Sequence, residues 1–195
     1  MVMHDCDIRD ALRDDLRRQY GADPETAIID ELSIQRAGAR IDVALVNGVL
    51  HGFELKSDRD TLSRLARQAQ AYDAVCDHVT LVVGERLVRN AVELVPNWWG
   101  VKVARLDSWG MTFRDLKLSQ RNPAPNPIAV AQLLRRDEAH GFLAELGCAT
   151  GIGSLSRKQL CLVLTQEVGF ANLRQRVRQC IRARQSAAQL PSCGD

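Results

Sequence analysis

Residues 41–56, IDVALVNGVLHGFELK, decide the reading of this chain. Ile41, Val43 and Leu45 alternate with Asp42, Ala44 and Val46, the period of a strand with one buried face. Asn47-Gly48 is a strong hairpin signal, so a second strand is expected from Val49 to about Ser57. That strand puts Gly52, Glu54 and Lys56 on one face, and Phe53 and Leu55 on the other. Three ionisable side chains, Asp42, Glu54 and Lys56, thus interrupt an otherwise apolar pair of strands. If the register sets Asp42 beside Glu54, the two carboxylates repel each other unless a cation lies between them. A hard divalent cation suits such ligands, because Mg²⁺ takes one or two carboxylates together with waters and phosphate oxygens. Lys56 would then reach the same phosphate or the attacking water. The pattern is catalytic, not structural.

Asp42 followed by Glu54-Leu55-Lys56 resembles the PD-(D/E)XK nuclease signature, with Ile41 in the place of the usual Pro. A helix expected after Lys56 carries Gln68-Ala69-Gln70-Ala71-Tyr72, which is similar to the QxxxY element of the RecB-like branch of that superfamily. The wider run from Asp23-Pro24 through GFELKSDRDTLSRL and LVVGERL to Pro96-Asn97-Trp98-Trp99-Gly100 resembles small bacterial proteins classed as PD-(D/E)XK nuclease-like, often found in prophage or mobile-element contexts. The resemblance covers the first two-thirds of the chain. It implies an α/β fold with a restriction-endonuclease-like mixed sheet flanked by helices. It also implies a Mg²⁺- or Mn²⁺-dependent deoxyribonuclease that hydrolyses phosphodiester bonds. Asp42 and Glu54 would hold the metal with the backbone carbonyl of Leu55, and Glu31 is the candidate for an additional upstream acid. The other reading of Glu31 is an exposed acid on an edge strand. Lys56 would stabilise the developing charge or orient the nucleophile. Gln68 would orient a phosphate or water, with Tyr72 beside the DNA backbone. In the alternative, Tyr72 is core and Gln68 lies at its margin.

Composition sets the frame. The 195 residues are 26% charged and 46% hydrophobic, as in an ordinary globular protein long enough to bury a core. No apolar run approaches bilayer length, and the acidic start MVMHDCDIRDALRDD is not a signal peptide. The six cysteines are scattered and form no CxxC pair, which points to reduced thiols in a bacterial cytoplasm. The net charge of +2 is unevenly spread: residues 127–195 hold nine Lys+Arg against five Asp+Glu.

In order, the chain opens with an amphipathic helix over 5–20 that carries Ile8, Leu12 and Leu16 on one face, with Arg9, Arg13, Arg17 and Arg18 read as solvated. AIIDELSIQ is expected as a strand. A helix over 61–76, capped by Asp58 or Asp60, follows the motif, then a strand at HVTLVVG, a helix over 86–95 and a strand over 100–106. Trp98-Trp99 is read as closing a core edge, and His51 as packing on the face opposite the motif or bonding in a turn.

RNPAPNP, residues 121–127, is expected to link a nuclease-like domain over 1–120 to a helical subdomain over 128–190. Four helices are expected there, over 128–135, 137–146, 157–168 and 173–184, with Ser156 as a cap. Arg174, Arg178 and Arg182 on the last of them either lie along DNA phosphates or decorate a solvated face. DNA is the expected partner, no membrane is involved, and a homodimer or a protein partner is compatible with the sequence. Two rivals to the enzyme remain: a non-catalytic nucleic-acid-binding or interaction module on a nuclease fold, and a subunit active only with a partner.

Overall fold

A computed structural model describes residues 3–34, 38–148 and 150–189. The chain divides into two units, Met1–Ala124 and Pro125–Asp195. The first begins with helix α1 (Asp5–Tyr20), whose fourfold spacing of Ile8, Leu12 and Leu16 makes one buried stripe. That stripe packs on Val43, Leu45, Phe53, Leu55 and Val82 of a six-stranded sheet. The strands are β1 (Ala27–Ile34), β2 (Ala39–Val46), β3 (Leu50–Lys56), β4 (His78–Gly84), β5 (Gly100–Asp107) and β6 (Gly110–Lys117), and they lie in sequence order.

The sheet is mixed. β1, β2 and β3 are antiparallel neighbours, β3, β4 and β5 are parallel, and β6 returns antiparallel to β5. Parallel neighbours need crossovers, and helices α2 (Leu65–Asp73) and α3 (Val88–Val92) supply them. This is the expected α/β architecture, a mixed sheet flanked by helices with a helical C-terminal region. β6 has no counterpart among the expected elements. It is an edge strand whose apolar alternation is confined to Met111 and Phe113, too short a run to reveal a half-buried strand.

The turn between β2 and β3 differs from the expected two-residue type, with a consequence for the site. Val46 pairs with Leu50, so residues 47–49 form a three-residue loop. Neither Asn47 nor Gly48 has the positive φ that a type I′ turn demands; instead the Asn47 side chain accepts the N–H of Val49 at 3.1 Å. A two-residue turn would have set Asp42 against Phe53. The observed register, carried one step beyond the last pair Val43–Phe53, sets Asp42 level with Glu54.

Helix α2 starts at Leu65, later than expected, and neither Asp58 nor Asp60 caps it. Asp60 accepts the N–H and hydroxyl of Ser57 at 2.7 and 2.6 Å, while Asp58 accepts the N–H of Arg86 at 3.0 Å. Both carboxylates are spent fixing the turn that leaves β3.

The second unit holds α4 (Pro127–Ala131), α5 (Arg136–Glu145), α6 (Arg157–Glu167) and α7 (Phe170–Gln189). Ser156 caps α6 by accepting from the N–H of Gln159. Leu134, Leu143, Leu160, Leu164, Leu173, Val177 and Ile181 form its core. The boundary falls inside RNPAPNP, after Ala124. Asn122 is buried and donates to the carbonyls of Asp73 and Cys76, at 2.7 and 2.8 Å, so the start of that stretch is part of the first unit. Among the described residues, no helix is long and apolar enough to cross a membrane.

Candidate functional site

The β2–β3 ladder stops at Val43–Phe53, and side-chain chemistry takes over where backbone pairing ends. Asp42 Oδ2 accepts the N–H of Leu55 at 2.8 Å, in place of a carbonyl from the neighbouring strand. Glu54 is wholly buried. Its Oε1 receives the Lys56 ammonium, and its Oε2 receives the Tyr72 hydroxyl. The same hydroxyl meets the carbonyl of Arg40, so one proton is shared between two acceptors. Tyr72 has no exposed surface and stacks on Trp99 at 5.8 Å, whose Nε1–H donates to Asp73 at 2.8 Å. The Trp pair therefore closes the core edge behind α2.

Burial, followed by the charge of Glu54, pushes the Asp42 carboxyl up to about 7 against the pull of the Leu55 N–H and of Lys56. The Tyr72 hydroxyl is raised far above its ordinary range by burial, then by the charges of Glu54 and Asp42, and stays a proton donor. Asp42 opens onto a pocket of about 320 Å³ that Glu31 and Gln68 also line, with Arg40, Arg64 and Arg67 around it. Gln68 Oε1 is buried there without a hydrogen-bond partner.

Glu31 carries a local anomaly. Its φ of 55° lies in the left-handed region, inside strand β1, between the pairs Asp30–Val43 and Leu32–Ile41. For a non-glycine residue this costs on the order of 1–3 kcal/mol and persists only where the surroundings enforce it. Two arginines do so: Arg9 of α1, and Arg40 at 3.1 Å. Arg9 also bonds Asp5 at 3.1 Å and lies 4.0 Å from Asp42 Oδ1. Arg13 pairs with Asp30 at 3.0 Å. The expectation that these α1 arginines are merely solvated is corrected, since both tie the helix to β1.

The structure thus brings Asp42, Glu54, Lys56 and Tyr72 into one constellation, with Glu31 and Gln68 joining Asp42 at the pocket. Leu55 contributes its N–H to Asp42 while its side chain is core. Tyr72 does not lie along a DNA backbone, as it has no surface to offer; it orients Glu54. Arg174, Arg178 and Arg182 lie on α7 in the second unit, where Arg174 sits over the Phe170 ring at 5.5 Å. On the same helix Arg176 and Arg184 are bound to Glu145 and Glu138. His51 packs on the other sheet face, stacked on Phe53 at 4.3 Å and bonded to Thr80 at 2.9 Å. Sequence reasoning missed Arg40, Arg64 and Arg67. Their signal was closeness in the chain, two residues before Asp42 and within four of Gln68.

The donor chemistry fits a hard cation: two carboxylates that sense each other, and an orphaned amide oxygen on the pocket that Asp42 lines. Among the described residues, no three His, Cys, Asp or Glu side chains gather as a metal cluster, and both Glu54 oxygens are engaged within the protein. The fit is to a two-carboxylate site completed by solvent and substrate, as Mg²⁺ prefers.

No solved structure matches the chain. A curated relative, Protein cII of Enterobacteria phage P4, is 26% identical over 164 residues, which cover 84% of this chain and 61% of that protein. The chain therefore spans less than two thirds of the length of the relative it matches. The family model described as bacteriophage P4 protein cII matches residues 3–190, and the chain belongs to that family.

Proposed function

We propose that this chain is a metal-dependent DNA nuclease of the PD-(D/E)XK kind, RecB-like branch, that hydrolyses phosphodiester bonds. One observation carries the reading. Asp42 sits where the β2–β3 ladder ends, level with the Glu54 that binds Lys56, on a pocket edged by three arginines. Buried charges so placed weaken a fold unless they serve a site.

Asp42 and Glu54 would hold Mg²⁺ or Mn²⁺, with the Leu55 carbonyl and Glu31 as further oxygen donors. When bound, the ion supplies Lewis acidity and an activated water. Lys56 holds positive charge where the scissile phosphate becomes more negative. Tyr72 keeps the Glu54 carboxylate oriented, and Gln68 offers a free acceptor to a water or a phosphate-bound proton. Arg174, Arg178 and Arg182 add phosphate contacts from the second unit. This reading expects work on DNA in a bacterial cytoplasm, alone or as a homodimer.

A second reading has its own observation. Glu54 and Lys56 neutralise each other in the interior, which also suits a DNA-binding module without turnover or a subunit opened by a protein partner. The deciding experiment is incubation with linear, circular and single-stranded DNA in Mg²⁺, Mn²⁺ or EDTA. EDTA-sensitive cleavage that disappears in Asp42→Asn is the expected result. DNA that is bound but never cut would return the function to the second reading.

A further inference from the structure

Trp109, at the tip of the β5–β6 hairpin, is 95% exposed. The turn that carries it is fixed, since Asp107 accepts the N–H of Trp109 at 2.8 Å. An indole so placed contributes nothing to the core. The strand register shows what lies beside it. Lys56 pairs with Val83, Val83 with Val103 and Val103 with Arg114, so Arg114 stands in one row with Lys56 on the same sheet face. Three strand spacings separate the two, about 14 Å. Arg105 lies diagonal to Arg114 on that face, nearer the hairpin tip. Between the ends of the row, β4 hands on to α3, at whose start Arg86 and Arg89 are exposed.

Pairing sets these arginines apart. Arg9, Arg13, Arg17, Arg18 and Arg40 are each held by a carboxylate. Among the described residues, no carboxylate holds Arg86, Arg89, Arg105 or Arg114, and all four are exposed. The acids nearby are engaged elsewhere: Asp58 accepts the N–H of Arg86, Asp60 that of Ser57 and Asp107 that of Trp109, which leaves Glu85. Open guanidiniums that lead from the Lys56 end of the sheet to an open indole match a polyanion carrying flat rings. A nucleic-acid single strand offers both: phosphates for the forks, and unpaired bases that stack on Trp whatever their sequence. In a duplex the bases are already stacked on one another. We propose that Trp109, Arg105 and Arg114 form a platform for single-stranded nucleic acid, with Arg86 and Arg89 carrying the strand between it and Lys56.

Delivery of the strand to Lys56 rests on the nuclease reading, whereas binding at the platform does not. Equilibrium binding by the full chain is therefore measured without divalent cation. The probes are an unpaired oligonucleotide of mixed sequence and the blunt duplex it forms with its complement. Trp109→Ala should weaken single-strand binding about tenfold and leave duplex binding almost unchanged. Trp109→Phe keeps a ring and should retain most of the affinity. Arg105→Gln/Arg114→Gln should flatten the slope of log affinity against log salt by roughly 1.4, the share of two phosphate contacts on a single strand. The urea midpoint of Trp109→Ala should match the wild type, because the side chain is open to water. Unchanged single-strand affinity in Trp109→Ala, an equal loss on the duplex, or an unchanged salt slope in the Gln pair overturns the platform. So does a Trp109→Ala chain that loses only self-association, which would make the indole a protein contact. Mg²⁺-dependent cleavage by the wild type beside normal binding by Trp109→Ala sinks the platform and leaves the nuclease standing. Single-strand binding lost in Trp109→Ala, with no cleavage of any substrate by the wild type, does the reverse.

Discussion

Strand β3 buries both of its faces, with opposite chemistry on each. Toward α1, Phe53 and Leu55 are 4% and 2% exposed and pack on Val43, Leu45 and Val82. On the other face Glu54 and Lys56 are 0% and 7% exposed, with Tyr72 against Glu54. Burying each apolar side chain contributes about 1.5–3 kcal/mol. Burying an ion costs several kcal/mol, and even a good partner often only restores the balance. The two faces are almost equally dry but differently stabilised: one holds the sheet to α1, and the other encloses the Glu54–Lys56 ion pair.

The largest expected effect separates the faces by activity. On the nuclease reading proposed above, Asp42→Asn or Glu54→Gln should lower metal-dependent cleavage roughly 10³-fold or more, by removing a carboxylate from the proposed metal site. Phe53→Leu, on the apolar face, should cost about 1–2 kcal/mol of stability and leave the rate within a few-fold. Single-turnover cleavage beside urea unfolding of the three variants makes the comparison. Phe53→Leu slowing the reaction as much as Glu54→Gln would erase the division between faces.

The next effect is in stability. Lys56→Ala leaves the Glu54 carboxylate buried without its cation, a loss on the order of 3–5 kcal/mol. Repulsion between Asp42 and Glu54, taken alone, argues that Glu54→Gln should leave stability unchanged or slightly raised. The observed pairing reverses that expectation, because Glu54→Gln strands the Lys56 ammonium and should destabilise. Glu54→Gln/Lys56→Met should recover most of the loss. Urea midpoints decide the matter, and a Lys56→Ala protein within about 1 kcal/mol of the wild type would mean that Lys56 finds water and the pair is not a buried one.

What the sequence made legible follows from what is local. Alternation, helical spacing and the Asp42…Glu54-Leu55-Lys56 motif revealed five of the six strands, α1, and the residues now found side by side. The turn at Asn47 was misread because the Asx bond of its side chain competes with the I′ geometry that Asn-Gly usually adopts. The late start of α2 escaped because Asp58 and Asp60 bind backbone elsewhere. Arg9 could not be assigned to Glu31 from a helix pattern, since its partner lies 22 residues on and only folding brings them together. The left-handed backbone of Glu31 has no sequence signal at all.

The faces should also differ in the sign of their pH dependence, first through Asp42. Its folded carboxyl titrates at about 7, above the roughly 3.9 of an unfolded chain. The folded state therefore keeps a proton that the unfolded state has released. This contribution is full below about pH 4 and is lost as the pH rises through 7. At about 1.4 kcal/mol per unit, the total is on the order of 2–4 kcal/mol. In metal-free buffer Asp42→Asn should gain on the wild type as pH climbs from 4 to 8, and a gap that stays constant would show that Asp42 is solvated and ordinary.

His51, on the apolar face, should act in the opposite sense and more weakly. Burial, then the neighbouring charges of His78 and Lys102, hold its imidazole down at about 3, against about 6.5 when unfolded. The native ring is neutral, while the unfolded one takes up a proton below pH 6.5. Its contribution is therefore complete above 6.5 and fades as the pH falls toward 3. The effect should be smaller than that of Asp42, about 1–3 kcal/mol, because the ring borders a groove of about 400 Å³ through which water can reach a charged form. His51→Gln keeps a hydrogen-bonding group near Thr80 and removes the titration. Unfolding curves at pH 4, 5, 6 and 7 should show the wild type losing ground to His51→Gln as acid is added, over the interval where it gains on Asp42→Asn. Parallel curves for His51→Gln and the wild type would place the ring in solvent and leave the α2 face as the one pH-sensitive side of β3.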